Sequence, residues 1–414
     1  EGSGNQTLIG EDFSYVITID LTEGVIDDAV FTDVVTAGGL ELIGAEIITF
    51  DGTMTSSNGL GVGSTVTASG GSSVTFDFGT LTVPSDNDES NDSIQIRVDA
   101  RAPDGLGAVA GDDLVNRARL DWDGGQVQDF LGQQIIEPSL TMDKDATPDT
   151  VQAGGTVSYS LDIQNVAGPN DAPAFDLELT DTLDPNLTLD TGSILILLDG
   201  VDVTGDPGYL VTSAVGNTFV INVDVLNEGE NLVVNYNGTV NAGVLAGISI
   251  PNTAGLTFDS TPEDEGVGTG AGDDSDDRDY SLSASEEVTA VGPGLDKSVL
   301  STTFDDTTGT DLAIGEEVTY EIVVTIPDGN TTAVTLEDVL PIPPDGVLQY
   351  VSSEIISIGS DITGAAVPAI AKAAMAEAHF TYAVPRYMDR PTCEAFVRSL
   401  KLDPQPDRTT AQAA

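Results

Sequence analysis

The chain has 414 residues, with 13 Lys and Arg against 69 Asp and Glu, giving a formal net charge of −56 at pH 7. Charge of that sign and size excludes nucleic acid and anionic membrane surfaces as partners. No run approaches the ~20 apolar residues of a spanning helix, so no membrane insertion is expected. The lone cysteine, Cys393, excludes intrachain disulfides, and the lone histidine, His379, leaves little for histidine-based catalysis. The sequence opens without Met or a signal peptide, which implies a processed chain or a fragment.

In chain order, residues 1–135 contain FSYVITI, AVFTDVV, LELIGAEIITF, SVTFDFGTLTV, SIQIRVDARA and LVNRARLDW, separated by Gly, Asp, Asn and Ser clusters. Short alternating runs between turn residues predict strands. Residues 136–291 repeat the order as LTMDK, TVSYSLDIQ, AFDLELTDTL, SILILL, FVINVDVL, LVVNYNGTV and IPNTAGLTF. Residues 292–364 begin a third copy with LDKSV, VTYEIVVTI, AVTLEDVLP and LQYVSSEIISI. Tyr15, Tyr159 and Tyr320 mark the repeat, 144 and then 161 residues apart. A period of that size is a whole domain. The predicted fold is all-β, tandem immunoglobulin-like antiparallel β-sandwiches.

The first copy starts too late to include its lysine strand, and the third stops before its closing strands. Such edges invite pairing with other copies of the chain, or with neighbouring repeats of a longer one. From Ala365 the composition changes. The segment 365–414 carries six Lys and Arg against five Asp and Glu, where the preceding 364 residues carry seven against 64. AAVPAIAKAAMAEAH and RPTCEAFVRSLKL read as two short helices in this atypical tail.

The first 364 residues contain two lysines, Lys144 and Lys297, at equivalent places in successive copies. Alternate residues of a strand share a face. Lys144 therefore aligns with Leu140 and Met142, and Lys297 with Leu295 and Val299, so both point toward a core. Phe175, Leu177, Leu179, Asp181 and Leu183 share a face, as do Val334, Leu336, Asp338 and Leu340, and Phe31, Asp33 and Val35. Asn252 aligns with Ile248, Ile250, Ala254, Leu256 and Phe258; Asn116 aligns with Leu114, Ala118, Leu120 and Trp122. A complete copy thus places one Lys, one Asp and one Asn in its core.

Burial favours the neutral amine and the neutral carboxylic acid. The amine of Lys144 could then attack the side-chain amide of Asn252, with Asp181 polarising the carbonyl and relaying protons as ammonia leaves. The alternative is a buried Lys–Asp ion pair with a hydrogen-bonded Asn. Asp33 and Asn116 in the first copy, and Lys297 and Asp338 in the third, are incomplete equivalents.

At MDK and LDK, GGTVSYSLDIQN and GEEVTYEIVVTI, LTDTL and LEDVLP, and IPNTAGLTF, the chain resembles a family of repeated domains in large bacterial surface proteins. That conserved repeat of unknown function overlaps with fimbrial isopeptide-forming domains. The acidic stretch EDEGVGTGAGDDSDDRDYSLSA resembles the family's inter-repeat segments. The resemblance covers about residues 10–360 and implies extracellular or cell-surface stalks, adhesins or filament subunits. The tail has no counterpart there.

No cofactor is required by this reading. Calcium is the candidate metal, with Asp273, Asp274, Asp276, Asp277 and Asp279 as oxygen ligands near a domain junction, although no loop has EF-hand spacing. A calcium-dependent adhesin binding host or cell-surface glycans is the alternative to a stalk or filament subunit. Carboxylate pairs are too numerous here to single out an enzyme, and His379 with Cys393 does not make a convincing catalytic pair.

Overall fold

The computed structural model describes residues 5–36, 38–51, 53–88, 92–262, 277–304, 307, 311–332, 334–339, 348–359, 362 and 375–383. Among these, the regular elements are strands, arranged in five sheets. Packing divides the chain into two compact units: residues 1–147, 158–238 and 251–286 form one, and 148–157, 239–250 and 287–414 the other.

The first repeat combines two sheets. One has the order Gln6–Leu8, Gly125–Pro138, Asp113–Trp122, Gly24–Val35, Ser73–Val83, Thr55–Ser56, with Asp171–Ala172 pairing beside Gly125–Pro138. The other has the order Asp12–Asp20, Ser93–Arg101, Glu41–Phe50, Thr65–Thr67. Alternation puts Ile94, Ile96, Val98 and Ala100 of one sheet, and Val74, Phe76 and Phe78 of the other, into a common core.

The second repeat has the same strand order. Its six-stranded sheet runs Thr150–Val151, Asp279–Ala290, Ser249–Asp259, Ala174–Thr182, Thr218–Leu226, Tyr209–Val215. Its five-stranded sheet runs Leu140–Thr147, Thr156–Asn165, Asn231–Val240, Leu187–Leu198, Val201–Asp202. Among the described residues, Leu140–Thr147 has no counterpart in the first repeat. The Asn-bearing strand is followed by one more, Asp279–Ala290, which replaces the expected inter-repeat segment from Asp279 onward.

A bulge recurs in both repeats. The partner register of Ala174–Thr182 shifts between Phe175 and Glu178, and that of Gly24–Val35 between Ile26 and Ala29. Asp176 and Asp28 take positive φ there, 50° and 53°; each lies five residues before the core aspartate of its repeat. A bulge resets the two-residue period. Ala174 is therefore buried, whereas Phe175, expected on the core face, packs instead with Leu8, Ile136 and Ala172.

The fifth sheet, in the third repeat, runs Gly294–Thr302, Glu317–Thr325, Met375–Ala383, Gln349–Ile358. Helix was expected through His379, but Met375–Ala383 pairs on both sides as a strand. Long-range pairing overrides local helix propensity there. The other expected helix lies outside the described residues.

Candidate functional site

Lys144, Asp181 and Asn252 meet in the core of the second repeat. Lys144 comes from the five-stranded sheet, whereas Asp181 and Asn252 lie on neighbouring strands of the six-stranded one, with Asp181 opposite Ala254. The lysine therefore reaches from one layer to the other. Lys144 Nζ donates to Asp181 Oδ2 at 2.5 Å, and both side chains are fully buried.

Asn252 Nδ2 donates to Asp181 Oδ2 at 3.4 Å and to the Tyr236 hydroxyl at 3.0 Å. Tyr236 in turn donates to Asp181 Oδ2. Asp181 Oδ1 and Asn252 Oδ1 are buried without a hydrogen-bond partner. Leaving such atoms unpaired costs ~1–3 kcal/mol each.

Aromatic rings wall the lysine. Its Nζ lies 5.4 Å from the Tyr159 ring centroid and 5.7 Å from that of Tyr236. Those two rings stack at 5.2 Å, and Phe219 meets Tyr236 edge-on at 4.8 Å. Burial lowers the Lys144 pKa against the opposing pull of Asp181. Burial and the neighbouring Asp181 push the Tyr159 hydroxyl up to about 12 and hold Tyr236 protonated. Within the pair, passing one proton from the ammonium to the carboxylate yields a neutral amine and a neutral acid. Those are the two species that an attack on an amide needs.

The first repeat carries the same constellation without its lysine. Asp33 lies opposite Ala118, the register of Asp181 opposite Ala254, and Asp33 and Asn116 are both buried. Asn116 Nδ2 donates to Asp33 Oδ2 at 3.0 Å, and Tyr15 donates to the same oxygen at 2.6 Å. Burial raises the Asp33 pKa against the hydrogen bonds it accepts from Tyr15 and Asn116.

In the third repeat Lys297 Nζ meets Asp338 at 2.7 and 2.8 Å, and Tyr382 donates to Asp338 at 2.6 Å. Lys297 was expected in a core, yet its side chain is 38% exposed. Among the described residues the Asp338 segment, 334–339, forms no strand.

Asp33, Asp181 and Asp338 each receive a tyrosine hydroxyl, from Tyr15, Tyr236 and Tyr382 in turn. Sequence parity did not single out Tyr236, although it stands in the alternating run LVVNYNGTV. Tyr382 was hidden in the segment expected to be atypical.

Of the calcium candidates, Asp273, Asp274 and Asp276 lie outside the described residues; Asp277 is buried and Asp279 exposed. Among the described residues no three acidic, His or Cys side chains stand grouped to hold a metal ion. Asp259 is fully buried, and burial together with Asp277 and Asp279 pushes its carboxyl up to about 8. No helix among the described residues is long and apolar enough to cross a membrane.

No family model matches the chain. No curated protein matches it either. Solved structures do resemble it in part. The C-terminal domain of the AgI/II polypeptide BspA from Streptococcus agalactiae is 13% identical, with 70% of this chain and 95% of that one covered at a TM-score of 0.36. BcpA, the major pilin subunit of Bacillus cereus, is 12% identical over 66% of this chain and 71% of its own, at 0.30. The C-terminal fragment of the major pilin GBS80 of Streptococcus agalactiae is 17% identical over 38% and 57%, at 0.29. Scores of this size describe partial overlap and fix neither ancestry nor function.

Proposed function

We propose that this chain is a structural protein of the cell surface, a stalk or filament subunit, whose second repeat is stiffened by an amide bond between Lys144 and Asn252. The observation that carries the reading is the fully buried Lys144–Asp181 pair beside Asn252. An unpaired buried ammonium is among the costliest groups a core can hold, and a buried ion pair by itself adds little stability. A bond that consumes both the charge and the amide gives those residues a purpose that an apolar core would not serve.

In the reaction, the neutral Nζ adds to Cγ of Asn252 and the bond from Cγ to Nδ2 breaks. Nδ2 already faces the Asp181 carboxyl, which returns to it the proton taken from the amine, and ammonia departs. The product ties the two layers of the sandwich together. Tandem sandwiches, a highly acidic surface and the lack of a convincing catalytic constellation in the repeats support a load-bearing role. Other copies of the chain, or further repeats, are its partners in this reading.

The test is the intact mass of the purified protein together with its tryptic map. A mass one ammonia below the sequence value, with a branched peptide joining Lys144 to Asn252, is expected. Full mass would leave the cluster an ordinary buried ion pair.

A further inference from the structure

The joint between the first and second repeats is packed rather than loose. The strand Gly125–Pro138 leads out of the first repeat, and its last residues pair in parallel with Asp171–Ala172 of the second, Glu137 opposite Asp171 and Pro138 opposite Ala172. Leu8 and Ile136 meet Ala172 and Phe175 there, in a small apolar cluster separate from the core of the first repeat. Phe175 reaches it because the bulge at Asp176 turns that side chain out of its own sandwich. The equivalent place in the first repeat, just before the left-handed Asp28, holds an exposed aspartate, Asp27.

An arginine of the second repeat closes the joint. Arg278 donates through Nε to Asp104 Oδ1 at 2.7 Å, through Nη2 to the Ala108 carbonyl at 2.8 Å, and through Nη1 to Glu137 Oε1. Asp104 and Ala108 belong to the first repeat, in the loop between Ser93–Arg101 and Asp113–Trp122. Glu137 is itself held: the Tyr280 hydroxyl donates to Oε1 at 2.7 Å, and the Ala110 N–H donates to Oε2 at 2.6 Å. The backbone of Arg278 is fastened as well. Its N–H donates to Ser260 Oγ at 2.8 Å, and that hydroxyl donates to the Ile9 carbonyl of the first repeat at 2.7 Å. Beside it the two repeats approach so closely that a Cβ on Gly10 would lie 2.7 Å from Asp277 Cα.

Domains joined end to end move relative to one another unless their interface resists it. An apolar cluster of four residues is small, and Asp104, Glu137, Asp171, Asp277 and Asp279 put like charges around it. Arg278 answers both problems. Its planar fork fixes acceptors in set directions, and its charge offsets theirs. The arginine side chain is 20% exposed and that of Glu137 11%, so salt screens this pair less than a surface one.

We propose that Arg278 is an inter-repeat pin: it recognises the 104–108 loop and Glu137 and, with Phe175 as the apolar seat, holds the first two repeats as one rigid segment. None of these contacts involves Lys144 or Asn252, so the pin stands whether or not those two are joined.

Pulsed dipolar spectroscopy of the full chain tests it. Spin labels go on Val62→Cys in the first repeat and Val201→Cys in the second, both well exposed, in a Cys393→Ser background. The wild-type joint should give a narrow distribution of label distances. Arg278→Gln should broaden it to at least about twice that width, as for domains free to move. Glu137→Gln and Phe175→Ser, which leave the arginine in place, should broaden it too. A second label pair within the first repeat, Val25→Cys with Val62→Cys, should stay narrow throughout and report the sandwich intact. A broad distribution with Arg278 and its partners unaltered would overturn the rigid joint. A distribution left narrow by Arg278→Gln would overturn the pin. Broadening of the within-repeat pair by Arg278→Gln would make the arginine a support of the sandwich and overturn the pin equally.

Discussion

Replacing Asn252 by Ala separates a covalent link from an ion pair by magnitude. The link would close a loop between residues 144 and 252, 108 positions apart. By the chain-entropy relation a loop of that size restricts the unfolded state by ~4.7 kcal/mol. For a domain of this size that corresponds to a melting shift of about 10–20 °C, at roughly 2–4 °C per kcal/mol. Without a link, Asn252→Ala removes two hydrogen bonds, to Asp181 and Tyr236, and leaves Lys144 paired. That loss is worth about 1–2 kcal/mol, or only a few degrees. Differential scanning calorimetry of the full chain, with intact mass on the same samples, reads both quantities. Removing Lys144 would discriminate poorly, because stranding Asp181 alone costs about 3–5 kcal/mol. A wild-type protein that lacks one ammonia, yet loses less than about 2 kcal/mol with Asn252→Ala, would refute the entropic argument.

Tyr236→Phe removes a hydroxyl donor to Asp181; it should cost about 1–3 kcal/mol and leave part of the protein at full mass by mass spectrometry. Lys297→Ala should change stability by less than about 1 kcal/mol in denaturant titration, because its pair with Asp338 is partly solvated. Asp259 holds its proton in the folded state up to about pH 8, whereas an unfolded Asp releases it near 4. The folded state therefore binds the extra proton between those values, and stability falls as pH rises through that window. Asp259→Asn should flatten this fall and raise the melting temperature at pH 8; an unchanged pH profile would contradict it.

Much of the site was legible because strand parity is a short-range rule. It placed Lys144, Asp181, Asn252, Asp33 and Asn116, and all are buried. Parity failed at Phe175, where a bulge with a left-handed Asp176 resets the period. The strand Asp279–Ala290 was missed because it is half exposed over most of its length and lacks a strong apolar alternation. Met375–Ala383 was misread because alanine-rich local preference says helix, whereas Glu317–Thr325 and Gln349–Ile358 bracket it as a strand. Lys297 has the sequence context of Lys144; its exposure depends on how the Asp338 segment packs, which no local pattern encodes.

The strand that follows Asn252 gives a bonded second repeat a graded response to pulling. Everything from Lys144 to Asn252 would lie inside the closed loop, but Asp279–Ala290 would lie outside it. Tension applied beyond Ala290 could peel that strand away before it loaded the bond. Up to 31 residues would then pay out, from 259 to 290, for a slack of ~105 Å at full extension. The repeat would yield elastically over that length and then stop abruptly. Re-pairing of Asp279–Ala290 beside Ser249–Asp259 would rewind it once the load fell.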